Sequence, residues 1–406
     1  MKFIDTLYGE IFIPIKMDIL TLPELQRLRE IRLCNINSPF ITGASSINRF
    51  EHAIGTCYLA YIYCKRNKIV TDRDEFLIAS LLHDIITPPF GHSFEYIFEA
   101  LNKKQYEHAN LETFFTGKTI QDNLPYYMGV KSKIKRKTVQ FDAYKVCDIL
   151  TKKHELSKII DSDIDIDNID NVFRLARHVG IYFDKNTPLN LVNKIEFCNS
   201  SIKCNDADIH LVEEWYNVRE QLYVYLLEDI YDFAAKAILE RITIDMIDAN
   251  LLEVEDWYLT DSQFIELAFK QQKRDIRENT VNLMTMNFPT TQLIFCTDDI
   301  STVDRLSHER IALINKCYNA HRVFLHFIRD VNKTRRPIRI ETPRSGSSYV
   351  VGKENDRYLI GMFSYQTKSK AIESFENIKL DIVNNFGINL KEMSSSEPPA
   401  QQFSLF

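Results

Sequence analysis

Glycine and proline are scarce in this chain, 11 and 12 among 406 residues. A turn-rich all-β fold draws on more of both, so that class is excluded. No apolar stretch approaches the roughly 20 residues of a membrane span, and the opening Met1-Lys2-Phe3-Ile4-Asp5 lacks the apolar core of a secretory signal. The eight cysteines (Cys34, Cys57, Cys64, Cys147, Cys198, Cys204, Cys296 and Cys317) include no Cys-x-x-Cys, and their spacing suits no thiolate zinc site. A reducing, cytoplasmic setting is therefore expected, with the thiols as small core residues. Positive charge is not in excess either: 50 Lys and Arg against 56 Asp and Glu give a net charge of −6. That balance excludes a generally basic nucleic-acid coat and leaves only local patches for polyanions.

What is present is ordinary globular material, 45% apolar and 26% charged, long enough for two or three domains. Helical patterning dominates from about residue 20 to 290. Thr21-Leu22-Pro23-Glu24 reads as a helix start, with a capping hydroxyl followed by Pro and Glu in the first turn. Further helices are expected at about 50–66, 74–84, 92–103, 140–152, 168–178, 208–240 (one or two helices), 261–284 and 303–316. Near Gln292 the texture changes. Gln292–Cys296 reads as a buried strand, and Pro337–Thr342 alternates at strand period. Tyr349-Val350-Val351 and Tyr358-Leu359-Ile360 flank a charged turn as a hairpin would, and 367–385 returns to helix. The expected fold is mainly α: a helical domain over 1–290, a smaller α+β lobe over 291–390, and a flexible Ser/Pro tail over 391–406.

The chemistry concentrates between Arg49 and His108. His52 lies on an apolar helix, and His83-Asp84 ends the next one. After Pro88-Pro89, Gly91-His92-Ser93-Phe94-Glu95 opens another, and an acidic segment, Asp163–Asp170, leads into a helix downstream. Imidazoles and carboxylates drawn from different helices make a mixed N/O set, suited to Mn, Fe, Mg or Zn. Helical spacing places Arg49 and His52 on one face and His92 beside Glu95, where a carboxylate can fix the imidazole tautomer. Asp167, Asp170 and Asn171 share a face as well. A calcium loop starting at Asp161 is rejected, because its sixth position is Ile166 and its twelfth Val172.

His52…His83-Asp84…Asp167 resembles the H…HD…D signature of the HD-domain phosphohydrolases. The likeness is closer to the deoxynucleoside triphosphate triphosphohydrolase branch. It is carried by Leu25–Arg29, Gly43-Ala44-Ser45 and Asn48–His52, then Leu81–Asp84 and Pro89–Glu95, then Asp167, Asp170 and Gly180-Ile181, in that order. The resemblance covers roughly residues 20–185. It implies a divalent metal held by His52, His83, Asp84 and Asp167, with hydrolysis of a deoxynucleoside triphosphate to deoxynucleoside and tripolyphosphate. It makes His92, Glu95 and His108 the catalytic candidates: His92 on the α-phosphate, His108 as acid to the leaving 5′ oxygen, Glu95 orienting it. Arg49 and Asn171 are the substrate-binding candidates. It also implies a homo-oligomer, a regulatory nucleotide and, by analogy only, a setting such as defence against phage.

Some positions depart from the family pattern. Thr87 stands where a further histidine is common, Asn168 and Asn171 replace Lys and Tyr, and Leu175 replaces an acidic residue that reads the sugar hydroxyl. Lys236 or Arg241, by charge type and position, are candidates for the missing phosphate charge. A substrate other than a standard deoxynucleoside triphosphate (a monophosphate, an alarmone or a nucleic acid) and a non-catalytic nucleotide sensor are the rival readings.

Two basic runs, Lys131–Lys137 and Lys333–Pro337 with Arg339, are either solvated faces or sites for polyphosphate or a single strand. The chain ends Gln402-Phe403-Ser404-Leu405-Phe406, which resembles the short peptide that docks replication proteins into the bacterial sliding clamp. Docking of that apolar cluster on the chain's own surface is the plain alternative.

Overall fold

A computed structural model describes residues 1–35, 37–43, 46–91, 97, 111, 114–115, 141–162, 164–198, 201–298, 300–330, 337–342, 346–352 and 357–393. A hairpin, β1 (Lys2–Asp5) and β2 (Gly9–Phe12), opens the chain. Helices α1 (Arg49–Asn67) and α2 (Arg73–Leu82) follow, then α3 (Ala143–Leu150), α4 (Ile166–Val179) and α5 (Thr187–Lys194). A short ribbon of β3 (Glu196–Phe197) and β4 (Ile202–Lys203) leads to α6 (Ile209–Glu228) and α7 (Ile230–Asp248). Next come α8 (Asp261–Phe269), α9 (Arg274–Met284), β5 (Thr291–Thr297), α10 (Ile300–His321) and β6 (Phe324–Asp330). The chain then runs through β7 (Ile338–Thr342), β8 (Ser347–Val351), β9 (Arg357–Ser364), α11 (Lys368–Phe386) and β10 (Lys391–Glu392).

The helices that carry the expected chemistry have caps readable in the sequence. The Asn48 side chain accepts from the Glu51 N–H at 2.9 Å and starts α1. Asp165 accepts from the Asn168 N–H at 2.7 Å and starts α4, which ends at Gly180 with φ 80°. Glycine adopts that left-handed conformation without a Cβ penalty. The 208–240 stretch is two helices broken at Asp229, whose extended backbone (ψ 116°) ends α6. Its carboxylate also caps α7 through the Asp232 N–H at 2.8 Å. The 261–284 stretch is likewise two helices, parted at 270–273.

The largest core cluster joins α1, α2, α4, α5 and α6, with the fully buried Trp215 and Phe173 inside it. A four-stranded antiparallel sheet, ordered β10-β5-β9-β6, carries the second architecture. One face packs Leu359 and Phe363 against Phe233 and Ile238 of α7. The other packs Phe295, Leu325 and Ile360 against α10 and α11.

Strand pairing differs from the sequence reading in one respect. Tyr349–Val351 and Tyr358–Ile360 are not partners in a hairpin. Strand β8 pairs with β7, and β9 lies between β5 and β6. Burial explains the choice: β9 is buried from Tyr358 to Ser364, as a central strand must be, whereas β8 is largely exposed and suits an edge. Strand β7 runs parallel to β4, with Ile340 opposite Ile202, so Ile338 and Ile340 join the large helical core. None of the described helices is long and apolar enough to cross a membrane.

Candidate metal centre

Helices α1, α2 and α4 meet at three side chains. His52 occupies the first turn of α1 and is 1% exposed. His83 is the C-cap of α2, placed there because the run Phe76–Leu82, buried throughout, carries the end of the helix into the core. Asp167 stands in the first turn of α4, just past the Asp165 cap. The Nε2 atoms of His52 and His83 are 3.2 Å apart. Asp167 Oδ1 lies 2.7 Å from the first and 3.6 Å from the second. One donor atom from each of the three residues falls within 4.8 Å of the others, so this group could hold a metal ion.

Hydrogen bonds behind the rings fit that role. His83 Nδ1 donates to the Ser80 carbonyl at 2.8 Å, and His52 Nδ1 donates to Asp170 Oδ1 at 2.7 Å. Both partners only accept, so each ring donates from Nδ1, and it is Nε2 that faces the shared space, where a bound cation would take the place of the proton that His52 Nε2 shares with Asp167. A metal-binding histidine held from behind by a carbonyl or carboxylate has this arrangement.

The electrostatics agree. Burial favours the neutral His52 ring, but the carboxylates of Asp167 and Asp170 outweigh it and hold the imidazolium up to about 10. The His83 imidazolium is raised too; burial opposes this, and Asp84 and Asp167 prevail. Burial opposes ionisation of Asp167, yet the two histidines keep its carboxyl well below the ordinary carboxylate range. Negative charge is thus concentrated where a cation or proton compensates it.

Among Asp165, Asp167 and Asp170 at the start of α4, geometry separates the roles. Both Asp165 oxygens serve the backbone, accepting from the Ser162 and Asn168 N–H groups at 2.9 and 2.7 Å. Asp170 is fully buried and faces the back of His52. Only Asp167 of these three reaches both Nε2 atoms.

Asp84 sits at the rim, its Oδ2 3.5 Å from His83 Nε2. It accepts from Arg49 Nη1 at 2.7 Å and from the Thr87 hydroxyl at 3.1 Å. Thr87, found where the family commonly has histidine, therefore steadies this carboxylate. Arg49 is 7% exposed, and its Nε has no hydrogen-bond partner among the described residues. The same holds for Asn171 Oδ1, one helical turn beyond Asp167.

His92, Glu95 and His108 lie outside the described residues, as do Lys131–Lys137, Lys333–Arg336 and Gln402–Phe406. Arg241 does not face the centre: it binds Asp245 through two nitrogens, at 3.1 and 2.8 Å, and reaches Asn315 at 2.6 Å. Lys236 is engaged by Asp232 at 2.6 Å and the Leu226 carbonyl at 3.2 Å. The phosphate role suggested for these cations by charge alone thus meets two side chains committed to structural partners.

Sequence reasoning missed Arg174. It grips Asp170 through two nitrogens, at 2.8 and 2.9 Å, and also binds Asp5 at 3.1 Å and Glu51 at 2.6 Å. Its spacing of four from Asp170 on an amphipathic helix was a usable signal.

Residues 49–175 match the HD domain family model. Over 305 residues, 71% of this chain and 60% of the relative, the sequence is 26% identical to an uncharacterized protein of Methanocaldococcus jannaschii. It is 25% identical over 284 residues to a deoxynucleoside triphosphate triphosphohydrolase SAMHD1 homolog of Dictyostelium discoideum, 65% of this chain and 52% of that protein. The chain thus spans little more than half the length of these relatives. A phosphohydrolase of Bacteroides thetaiotaomicron superposes with a TM-score of 0.65 at 15% identity, over 90% of this chain and 99% of its own, which shows the shared fold. Residues 49–175 thus match an HD domain, with the motif residues His52, His83 and Asp167 gathered at one point, and the chain shares the fold of the Bacteroides phosphohydrolase.

Proposed function

We propose that this protein is a metal-dependent hydrolase of deoxynucleoside triphosphates that releases deoxynucleoside and tripolyphosphate. The observation that carries the reading is the convergence of two Nε2 atoms and one Asp167 oxygen, each imidazole held from behind. The triphosphate as substrate rests on the motif resemblance and on the similarity to the Dictyostelium triphosphohydrolase homolog.

His52, His83, Asp167 and the rim carboxylate Asp84 are the proposed ligands of a divalent ion, Mn, Mg, Fe or Zn. Such an ion supplies Lewis acidity toward a phosphoryl oxygen and lowers the cost of generating a nucleophile. Arg49, already charged and lined up beside Asp84, neutralises phosphate with its spare Nε donor. Asn171 offers its unpartnered amide oxygen to a substrate hydroxyl. Through the resemblance, His92 contacts the α-phosphate and His108 gives a proton to the departing 5′ oxygen while Glu95 orients it. An imidazole suits that task because it exchanges protons near neutrality. By the same resemblance the active species is a homo-oligomer and a regulatory nucleotide controls it; light scattering with and without added nucleotide tests both.

One observation favours a rival substrate within the same enzyme class. Leu175, at the position of the family's sugar-reading carboxylate, is 3% exposed and part of the core, so it recognises no hydroxyl. Incubation with each of the four deoxynucleoside triphosphates and Mn²⁺, followed by ion-exchange chromatography, separates the two. Intact tripolyphosphate supports the proposal; orthophosphate, pyrophosphate or no turnover refutes it.

A further inference from the structure

The N-terminal hairpin reaches into the back of the metal centre. Its turn is held by the Asp5 carboxylate, whose Oδ1 accepts from the Leu7 and Tyr8 N–H groups at 2.8 and 2.9 Å. The second oxygen, Oδ2, accepts from Arg174 Nη2 at 3.1 Å. Tyr8 turns its hydroxyl to Asp170 Oδ2 at 2.9 Å while its ring packs on Tyr58 with centroids 5.3 Å apart. Thr6 hydrogen-bonds to Glu51, the residue preceding His52. A segment some 160 positions away in sequence thus completes the surroundings of the carboxylate that orients His52.

The fit leaves little slack. Asp170 accepts from His52 Nδ1 and Arg174 Nε through one oxygen, and from Arg174 Nη2 and Tyr8 through the other. On the far side lies Gly55 in the interior of α1. A Cβ built there would stand 2.0 Å from Asp170 Oδ2 and 2.2 Å from Arg174 Nη2. A glycine inside a helix costs about 1 kcal/mol relative to alanine, so its presence marks a position where space outweighs propensity. The Asp170–Arg174 pair is therefore clamped between α1 and the hairpin.

We propose that Tyr8 and Asp5 are positioning residues of the metal centre: acting through Asp170 and Arg174, the hairpin fixes the tautomer and direction of His52. The inference rests on the metal-site reading above. Residues that support a ligand from behind typically alter metal affinity 10–100-fold when changed.

Tyr8→Phe tests it, because it removes the hydroxyl and keeps the ring against Tyr58. The full-length protein is titrated with Mn²⁺ alone, free Mn²⁺ being read by electron paramagnetic resonance, and the metal-free unfolding midpoint is measured in parallel. The expected result is roughly a tenfold loss of Mn²⁺ affinity for Tyr8→Phe at a nearly unchanged midpoint. Ile4→Ser, on the same hairpin but 85% exposed, should bind like wild type. Gly55→Ala, which presses on the pair from the other side, should weaken binding as well. Wild-type affinity in Tyr8→Phe overturns the inference, as does a lowered midpoint with affinity retained. A wild-type protein that takes up no Mn²⁺ overturns the metal site itself, and the two failures are told apart by the wild-type titration.

Discussion

Replacing Asp170 by Asn changes one atom and should disable the centre. The carboxylate receives four donated hydrogen bonds, two on each oxygen. An amide supplies one oxygen and one NH₂. If the NH₂ takes the Oδ1 place, it confronts His52 Nδ1–H and Arg174 Nε–H, and His52 can pair with it only by moving its proton to Nε2. A ring fixed in that tautomer keeps a proton on Nε2 and cannot offer that atom to a cation. If the NH₂ takes the Oδ2 place instead, it meets Arg174 Nη2 and the Tyr8 hydroxyl, and the His52 bond weakens as its acceptor loses full charge. In either case Arg174, with 0% exposure, loses a charged partner and keeps Asp5 and Glu51. Breaking a buried ion pair outright costs about 3–5 kcal/mol. Two remaining carboxylates and a retained amide oxygen place the expected loss at the lower end, about 3 kcal/mol, readable by urea denaturation of the metal-free protein. Mn²⁺ affinity should fall by about 10–100-fold. An Asp170→Asn protein with wild-type stability and wild-type affinity would refute the account of how His52 is oriented.

Three further outcomes follow from other parts of the structure. Alanine at His83 or Asp84 should abolish metal content, by elemental analysis, together with hydrolysis. Asp229→Ala removes the cap between α6 and α7 and should cost about 1 kcal/mol in denaturation, with Mn²⁺ affinity unchanged. All eight cysteines are free; burial pushes the thiols of Cys34, Cys64 and Cys317 up to about 12, against an ordinary value near 8.5. At pH 8 these three should therefore resist alkylation in the native protein and react promptly in denaturant, as followed by mass spectrometry.

The site was legible where chemistry and local structure speak together. His52, His83 and Asp167 lie near helix ends marked by Asn48, the apolar run before His83, and Asp165, so their directions follow from short-range rules. Asp170 was legible as a neighbour of Asp167 on one helix face. What the hairpin contributes was not, since β1 and β2 are four residues each and carry no strong alternation. Tyr8 and Asp5 meet their partners 162 and 169 positions away, and no local pattern reports such a contact. Strand partners were obscure for the same reason: Tyr358–Ile360 follows a turn that suggests a hairpin, but total burial drew it between two strands from elsewhere. The break at 270–273 contains no Gly or Pro, so nothing in Lys270-Gln271-Gln272-Lys273 marked it.

The central claim is that one divalent ion lies between His52, His83 and the carboxylate of Asp167. Anomalous diffraction from crystals soaked in Mn²⁺ tests this directly. A single strong peak in coordination contact with both Nε2 atoms and an Asp167 oxygen is the predicted result. Fully soaked crystals whose only peaks lie elsewhere, with His52 and Asp167 still hydrogen-bonded to each other, would contradict it.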